Sequence, residues 1–262
     1  MQNLLFVSFI SFSFFSHFAS GAANPPLRIT IDPGHGGTDT GAVYGRANES
    51  EIALKVAQEL KNILEKNHSF AASLTRDNNK NLSLSDRVHL AEQQQADLFL
   101  SIHANASPDL RARGTEFYFQ NHLPPNEESL FLANAENEIL KDKTHETESA
   151  QAPAEVEDMS KSSDVRAIVD DLKRHTKMRS SFTLSEKLMN RFQASHIRQA
   201  PFFVISKTHI PSVLVELGYI SNPKESQALI QSSYQKEIAQ KIYRGLRDYK
   251  EMVDKAEVGR LH

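Results

Sequence analysis

Leu27–Gly37 reads LRITIDPGHGG. Leu27–Asp32 has the aliphatic and β-branched content of a strand, and from Pro33 to Asn48 the chain becomes a Gly-rich loop. Beyond the loop, residues 49–66 carry Ile52, Val56, Ala57, Leu60, Ile63 and Leu64 at the spacing of one helical face. The alternation then repeats. Phe70–Leu74 reads as a strand, Leu84–Gln95 as a helix with Ser83 or Ser85 as its cap, Asp97–His103 as a strand buried on both faces, and Gly114–Phe119 as another strand. A helix is expected near Leu130–Leu140, renewed order at Val165–Leu172, and a helix around Leu184–Ala194. Phe202–Ile205 and Val213–Leu217 read as two more strands, and an amphipathic helix over about 235–253 follows. Strands alternating with helices predict an α/β fold. The expectation is a single domain built on a twisted, mostly parallel (mixed) sheet of about six strands with helices on both faces. In such sheets ligands bind beyond the carboxyl ends of the strands.

Composition narrows the function. The 262 residues carry 30 basic and 33 acidic side chains, a net charge of −3, so there is no electrostatic footprint for nucleic acid. The absence of cysteine excludes disulfides, Cys-ligated zinc and thiol catalysis. Residues 1–23 contain no Lys, Arg, Asp or Glu. There Leu4–Phe18 forms an apolar run followed by Ala19, Ser20, Gly21, Ala22 and Ala23. This is the layout of a secretory signal peptide, although its basic n-region is missing. The expectation is export to the periplasm after cleavage behind Gly21 or Ala23, a mature domain over 24–262, and no stable membrane insertion.

Three predicted strands end in residues able to bind a metal or move a proton: His35 after the first, His103 in SIHAN, and Glu216 in VLVELG. Glu49 opens the first helix, and Glu51 is its alternative. In a helix, two residues on means about 200° around the axis, so only one of the pair can face a metal. Two imidazoles and one carboxylate form a common catalytic zinc set whose fourth position is open to water. A further carboxylate outside the metal shell can carry the proton. Singly, each residue also has an ordinary reading: Gly34, Gly36 and Gly37 a tight turn, Glu49 a helix N-terminal charge, each histidine a core or surface group. Glu216 is different, because an acid inside an apolar strand end needs a partner or a task.

The motifs IDPGHGG, a glutamate fourteen residues after the histidine, TRD, SIHAN, RGTEFYF and PSVLVELGYISNP occur in that order. Together they resemble zinc-dependent N-acetylmuramoyl-L-alanine amidases of the Amidase_3 family, from about Leu27 to Tyr249. The resemblance implies one Zn2+ held by His35, Glu49 and His103, with Glu216 as the catalytic glutamate. It implies cleavage of the amide between N-acetylmuramic acid and L-alanine in peptidoglycan. One departure is that Ser50-Glu51 follow the ligand glutamate where relatives often have Lys and then Asp or Asn.

Around this set, Asn105 is a candidate for orienting neighbours of the metal, and Arg76 with Asp77 for bracing the site. Arg87 and Arg113 are candidate contacts for stem-peptide carboxylates and His209 a candidate for stabilising the tetrahedral intermediate, but the expectation is solvated surface arginines and a loop histidine. The acidic, partly helical segment 121–171 falls where some cell-division members of the family carry an insert that an activator protein displaces. The alternatives are a gate over the zinc, with Glu136 or Glu138 offered to the metal, or a surface insertion.

Overall fold

The computed structural model describes residues 24–139 and 163–258. The elements in chain order are β1 (Leu27–Pro33), β2 (Val43–Tyr44), β3 (Ala47–Asn48), α1 (Glu49–Leu64), β4 (Phe70–Leu74), α2 (Leu84–Gln93), β5 (Leu98–Asn105), β6 (Thr115–Phe119), α3 (Glu127–Ile139), α4 (Ser163–Met189), β7 (Ser195–Gln199), α5 (Phe203–Lys207), β8 (Ser212–Tyr219), α6 (Pro223–Leu229) and α7 (Ser232–Val258). Six strands form one sheet in the order β4-β1-β5-β8-β6-β7, and β2 with β3 makes a separate small hairpin. Every pairing in the large sheet is parallel except β6 with β8.

The alternation of side chains along each strand divides the core in two. Ile29, Ile31, Leu98, Leu100, Ile102, Val213 and Val215 face one layer, where they pack with Val56 and Leu60 of α1, Leu184 and Leu188 of α4, and Ile238, Ile242 and Leu246 of α7. Phe99, Tyr118 and Leu214 face the other layer and meet Ala91 of α2, Ala133 of α3, and Phe202, Val204 and Ile205 around α5. Period two then fixes the polar residues. Thr30, Asp32, Ser101, His103 and Glu216 share the second face and are all buried, with Asp32, His103 and Glu216 toward the carboxyl ends of β1, β5 and β8. The chain leaves β1 for β4 on one side and later returns to β5 on the other, so the crevice where strand order reverses lies between β1 and β5.

The expected mixed sheet with helices on both faces is the one observed, with one strand exchanged. Phe202–Ile205 is not a strand; it belongs to the helical turn α5. A short apolar run without alternation fits a buried helix as well as a buried strand. Here Lys177 Nζ decides the matter by donating to the carbonyls of Ile205 (2.8 Å) and Thr208 (2.6 Å) at the end of that turn. The sixth strand is β7, Ser195–Gln199, whose sequence SHIRQ carries one aliphatic residue because it is an edge strand. The helix expected to run to Ala194 stops at Met189 and is the end of α4, which also takes in Val165–Leu172. Ser83 caps α2 through a capping box with Asp86. The loop or disorder expected over 143–163 falls almost wholly outside the described residues, as does the segment 1–23.

Candidate metal centre

After β1 the chain turns through Gly34, His35, Gly36 and Gly37, the last three with positive φ (56°, 123° and 64°). That backbone is unfavourable for a histidine, so the loop must be held by its surroundings. Two buried arginines supply the hold. Arg76 donates to Pro33 O (2.9 Å), Gly34 O (2.6 Å) and Ser50 O (2.9 Å), while Arg87 donates to Pro33 O (2.7 Å) and His35 O (2.7 Å). Arg87 is further paired with the buried Asp32 at 2.8 Å, and Thr75 and Ser101 donate to the same carboxylate at 2.6 and 2.9 Å. Desolvation would raise the Asp32 pKa, but Arg87 and these donors outweigh it and hold the group below the usual carboxylate range. Burial and the neighbouring Arg87 bring Arg76 down to about 10. Gly34 is required by close packing: a Cβ there would collide with the His103 ring.

His35, Glu49 and His103 converge in this crevice, each under a tenth exposed. Their candidate ligand atoms all lie within 4.8 Å of one another. Glu49 Oε1 is 3.1 Å from His35 Nε2 and 3.1 Å from His103 Nδ1. Two donors bound at about 2.0–2.1 Å to one tetrahedral zinc stand about 3.3 Å apart, so these separations suit ligands of a common ion. His35 Nε2 is buried and makes no hydrogen bond, the position of a lone pair reserved for something else. Its other nitrogen, Nδ1, meets Asp39 Oδ2 at 2.9 Å, which selects the tautomer that frees Nε2.

Glu49 is the first residue of α1, with Asn48 as the helix cap. Its Oε2 accepts from Ala42 N–H (2.9 Å) and its Oε1 from Ala104 N–H (3.0 Å). Burial alone would raise its pKa, but His35 and the bonds from His103 push it well below the carboxylate range, so it stays ionised. Glu51, the alternative, is an exposed residue beside Lys55. It lies about 200° around the helix from Glu49 and faces solvent, away from the two histidines.

Glu216 lies directly across the β5–β8 ladder from His103. It is 2% exposed, and its Oε2 has no hydrogen-bond partner. Desolvation, reinforced by Glu49, Glu136 and Glu116, raises its pKa well above the ordinary value.

The crevice is covered by α3. Glu136 Oε2 lies 3.5 Å from His35 Nε2 and 4.0 Å from His103 Nδ1. The next residue clasps the backbone opposite: Asn137 Nδ2 donates to Pro201 O (3.1 Å), and Phe203 N–H donates to Asn137 Oδ1 (2.8 Å). Glu138 is exposed. Of the two glutamates put forward from the sequence, Glu136 is the one brought to the site.

Asn105 does not reach the ligand cluster; its Nδ2 donates to Glu116 Oε2 at 3.1 Å. Asp77 is exposed and takes no part in bracing. Arg113 is exposed, and His209 is an exposed residue just before β8, at the end of that strand remote from Glu216. Arg87 is the correction, being buried in the loop brace rather than solvated. Its signal was present in the sequence, since Leu84, Arg87, Val88 and Ala91 share one helical face. Asp39 was missed; an acid four residues after a candidate ligand histidine, inside a glycine loop, was the available clue.

Comparison with known proteins shows the family. The model of the Amidase_3 family, N-acetylmuramoyl-L-alanine amidase, matches residues 29–248. The chain is 31% identical over 243 residues to a probable amidase AmiB of Haemophilus influenzae, covering 90% of this chain and 55% of that protein. It is 31% identical over 230 residues to the amidase AmiA of Escherichia coli, covering 84% of this chain and 75% of that one. The solved amidase AmiC2 of Nostoc punctiforme superposes with a TM-score of 0.61 at 26% identity, covering 86% of this chain and 97% of that one. The chain thus spans about half the length of the Haemophilus relative.

Proposed function

The chain belongs to the N-acetylmuramoyl-L-alanine amidase family, and from that footing we propose that it is a zinc-dependent peptidoglycan hydrolase. It cleaves the amide between N-acetylmuramic acid and the L-alanine of the stem peptide. The observation that carries the reading is the single Glu49 oxygen standing 3.1 Å from both His35 Nε2 and His103 Nδ1, with Glu216 on the neighbouring strand.

His35, Glu49 and His103 are the ligands. Zinc bound to them supplies a Lewis acid and lowers the pKa of a bound water to about 7. Asp39 keeps the His35 proton on Nδ1, and Arg76 with Arg87 keeps the ligand loop in its strained conformation. Glu216 takes the proton of the attacking water through its unpartnered Oε2. It returns a proton to the leaving nitrogen as the carbon–nitrogen bond breaks. A carboxyl whose pKa is raised by burial is suited to both halves of that transfer. The products are a muramic carboxyl group and a stem peptide with a free L-alanine amine.

Segment 121–171 is an autoinhibitory insert in this reading, with α3 as the lid and Glu136 filling the position that water requires. An activator protein displaces it. Ile168, Val169 and Leu172, which leave 59%, 41% and 61% of their surface exposed on α4, give such a partner an apolar grip. Residues 1–23 are the export signal, residues 24–262 the catalytic domain, and the workplace is the periplasm. No helix of the described residues is long and apolar enough to cross a membrane. Wall remodelling and daughter-cell separation are the physiological roles.

The test is digestion of purified sacculi by the full chain carrying Glu136→Ala, followed by mass spectrometry. The proposal requires intact stem peptides with L-alanine amino termini, lost on chelation and restored by zinc. Cuts within the stem peptide, or activity indifferent to chelator, would contradict it.

A further inference from the structure

Arg198 of β7 holds two carboxylates of unlike character. Its Nε donates to Glu116 Oε1 at 2.6 Å, and its Nη1 to Glu128 Oε2 at 3.1 Å. Glu116 is buried and fixed: Asn105 Nδ2 (3.1 Å) and Tyr118 OH (2.7 Å) both donate to its other oxygen. Its Cα stands opposite that of Glu216 in the β6–β8 ladder. Glu128 lies on α3, and 71% of its side-chain surface is exposed. One arm of Arg198 is therefore tied to the sheet beside Glu216, and among the described residues the other is bonded to α3. An exposed ion pair of this kind contributes little to stability, so holding the helix down does not account for a guanidinium oriented by a buried acid.

The geometry points to Arg198 as the receptor for a carboxylate of the substrate's peptide arm, with Glu128 standing in for that carboxylate while the lid is closed. This rests on the amidase reading of the same crevice. The lid occupies substrate space: Glu136 is at the metal cluster, and Asn137 takes the donor–acceptor pair of Pro201 and Phe203 as a peptide group would. Glu128 lies eight residues before Glu136 on one helix, about 12 Å along its axis. An extended peptide covers that distance in three or four residues. The arm reaching Arg198 must be the peptide one, because the muramic carboxyl is consumed in the scissile amide and leaves the glycan without charge. Beyond Arg198 an open depression lined by Phe119, Pro124, Phe182 and Ile197 continues the path along the sheet edge.

The experiment compares two small substrates, a muramoyl tripeptide with a free terminal carboxylate and its terminal amide. It uses the full chain carrying Glu136→Ala, alone and combined with Arg198→Gln or Arg198→Lys. The expected result is that the acid exceeds the amide roughly tenfold in kcat/KM, through KM, the size of one charge-assisted hydrogen bond. Arg198→Gln should bring the ratio to about one, and Arg198→Lys should restore part of it. A fall of equal size for both substrates marks Arg198 as structural and overturns the inference. Calorimetric binding of the released tripeptide, as acid and as amide, to the same proteins reads the site without turnover. Equal affinities overturn the inference, while an acid preference abolished by Arg198→Gln supports it even if neither substrate is cut. The latter outcome would sink the amidase reading alone.

Discussion

Glu136 Oε2 lies 3.5 Å from His35 Nε2, so a side chain of α3 stands beside a buried ring nitrogen that has no hydrogen bond of its own. In the proposed mechanism a carboxylate carried there by α3 would compete with water for the metal. Glu136→Ala should therefore raise the basal rate on sacculi, on the order of tenfold if the closed lid is favoured by about 1.4 kcal/mol. Glu138→Ala, exposed on the same helix, should leave it unchanged. The initial rate of peptide release by the two variants is the measurement, and equal rates would reject the lid.

Glu216 carries the proton in this account and binds no metal. Glu216→Gln keeps the shape and removes the base. It should retain one zinc per chain by metal analysis and lose about 10²–10⁴-fold in kcat. Loss of zinc would instead make Glu216 a ligand.

Asp39 acts through His35. Asp39→Ala removes the 2.9 Å partner of Nδ1, and zinc affinity should fall about 10–100-fold. Competition with a chromophoric chelator reads the change. Unaltered affinity would show that the arginine-braced loop alone orients the ring.

Lys177 gives a pH-dependent stability. Burial brings its pKa down from 10.5 to about 8. Between those values the unfolded chain binds more protons than the folded one, so this group's contribution to stability increases as pH rises from about 8 to 10.5 and is level below about 8. Lys177→Met should abolish that increment, at most about 1.4 kcal/mol per pH unit. Urea titrations of both proteins across this range provide the difference. Parallel curves would mean that the ammonium is better solvated than its burial implies.

What could be read in advance follows the physics of each segment. LRITID and DLFLSIH are strands with buried faces, and their apolar pattern names them without help from the rest of the chain. His35, His103 and Glu216 sit where those patterns break, so their placement was legible as well. Glu49 needed the geometry of α1 to be separated from Glu51. SHIRQ could not be recognised as β7, because an edge strand shows little apolar pattern and gains its pairing from β6. FFVI was ambiguous for the opposite reason, being apolar throughout, and a distant lysine is what caps it as a helix. Bracing by Arg76 was expected and the burial of Arg87 was legible from its helical face, but the backbone carbonyls that the two arginines hold are brought close only by the fold. The preference for Glu136 over Glu138 depends on the rotation of α3 against the sheet, which is a tertiary quantity.

The central claim is that one zinc ion sits among His35, Glu49 and His103. Crystals of the full chain grown with zinc, with diffraction recorded on both sides of the zinc absorption edge, test it directly. The account predicts one strong anomalous peak about 2.0–2.1 Å from one nitrogen of each histidine and from a Glu49 oxygen. A peak elsewhere, or density in this crevice without an anomalous signal, would contradict it.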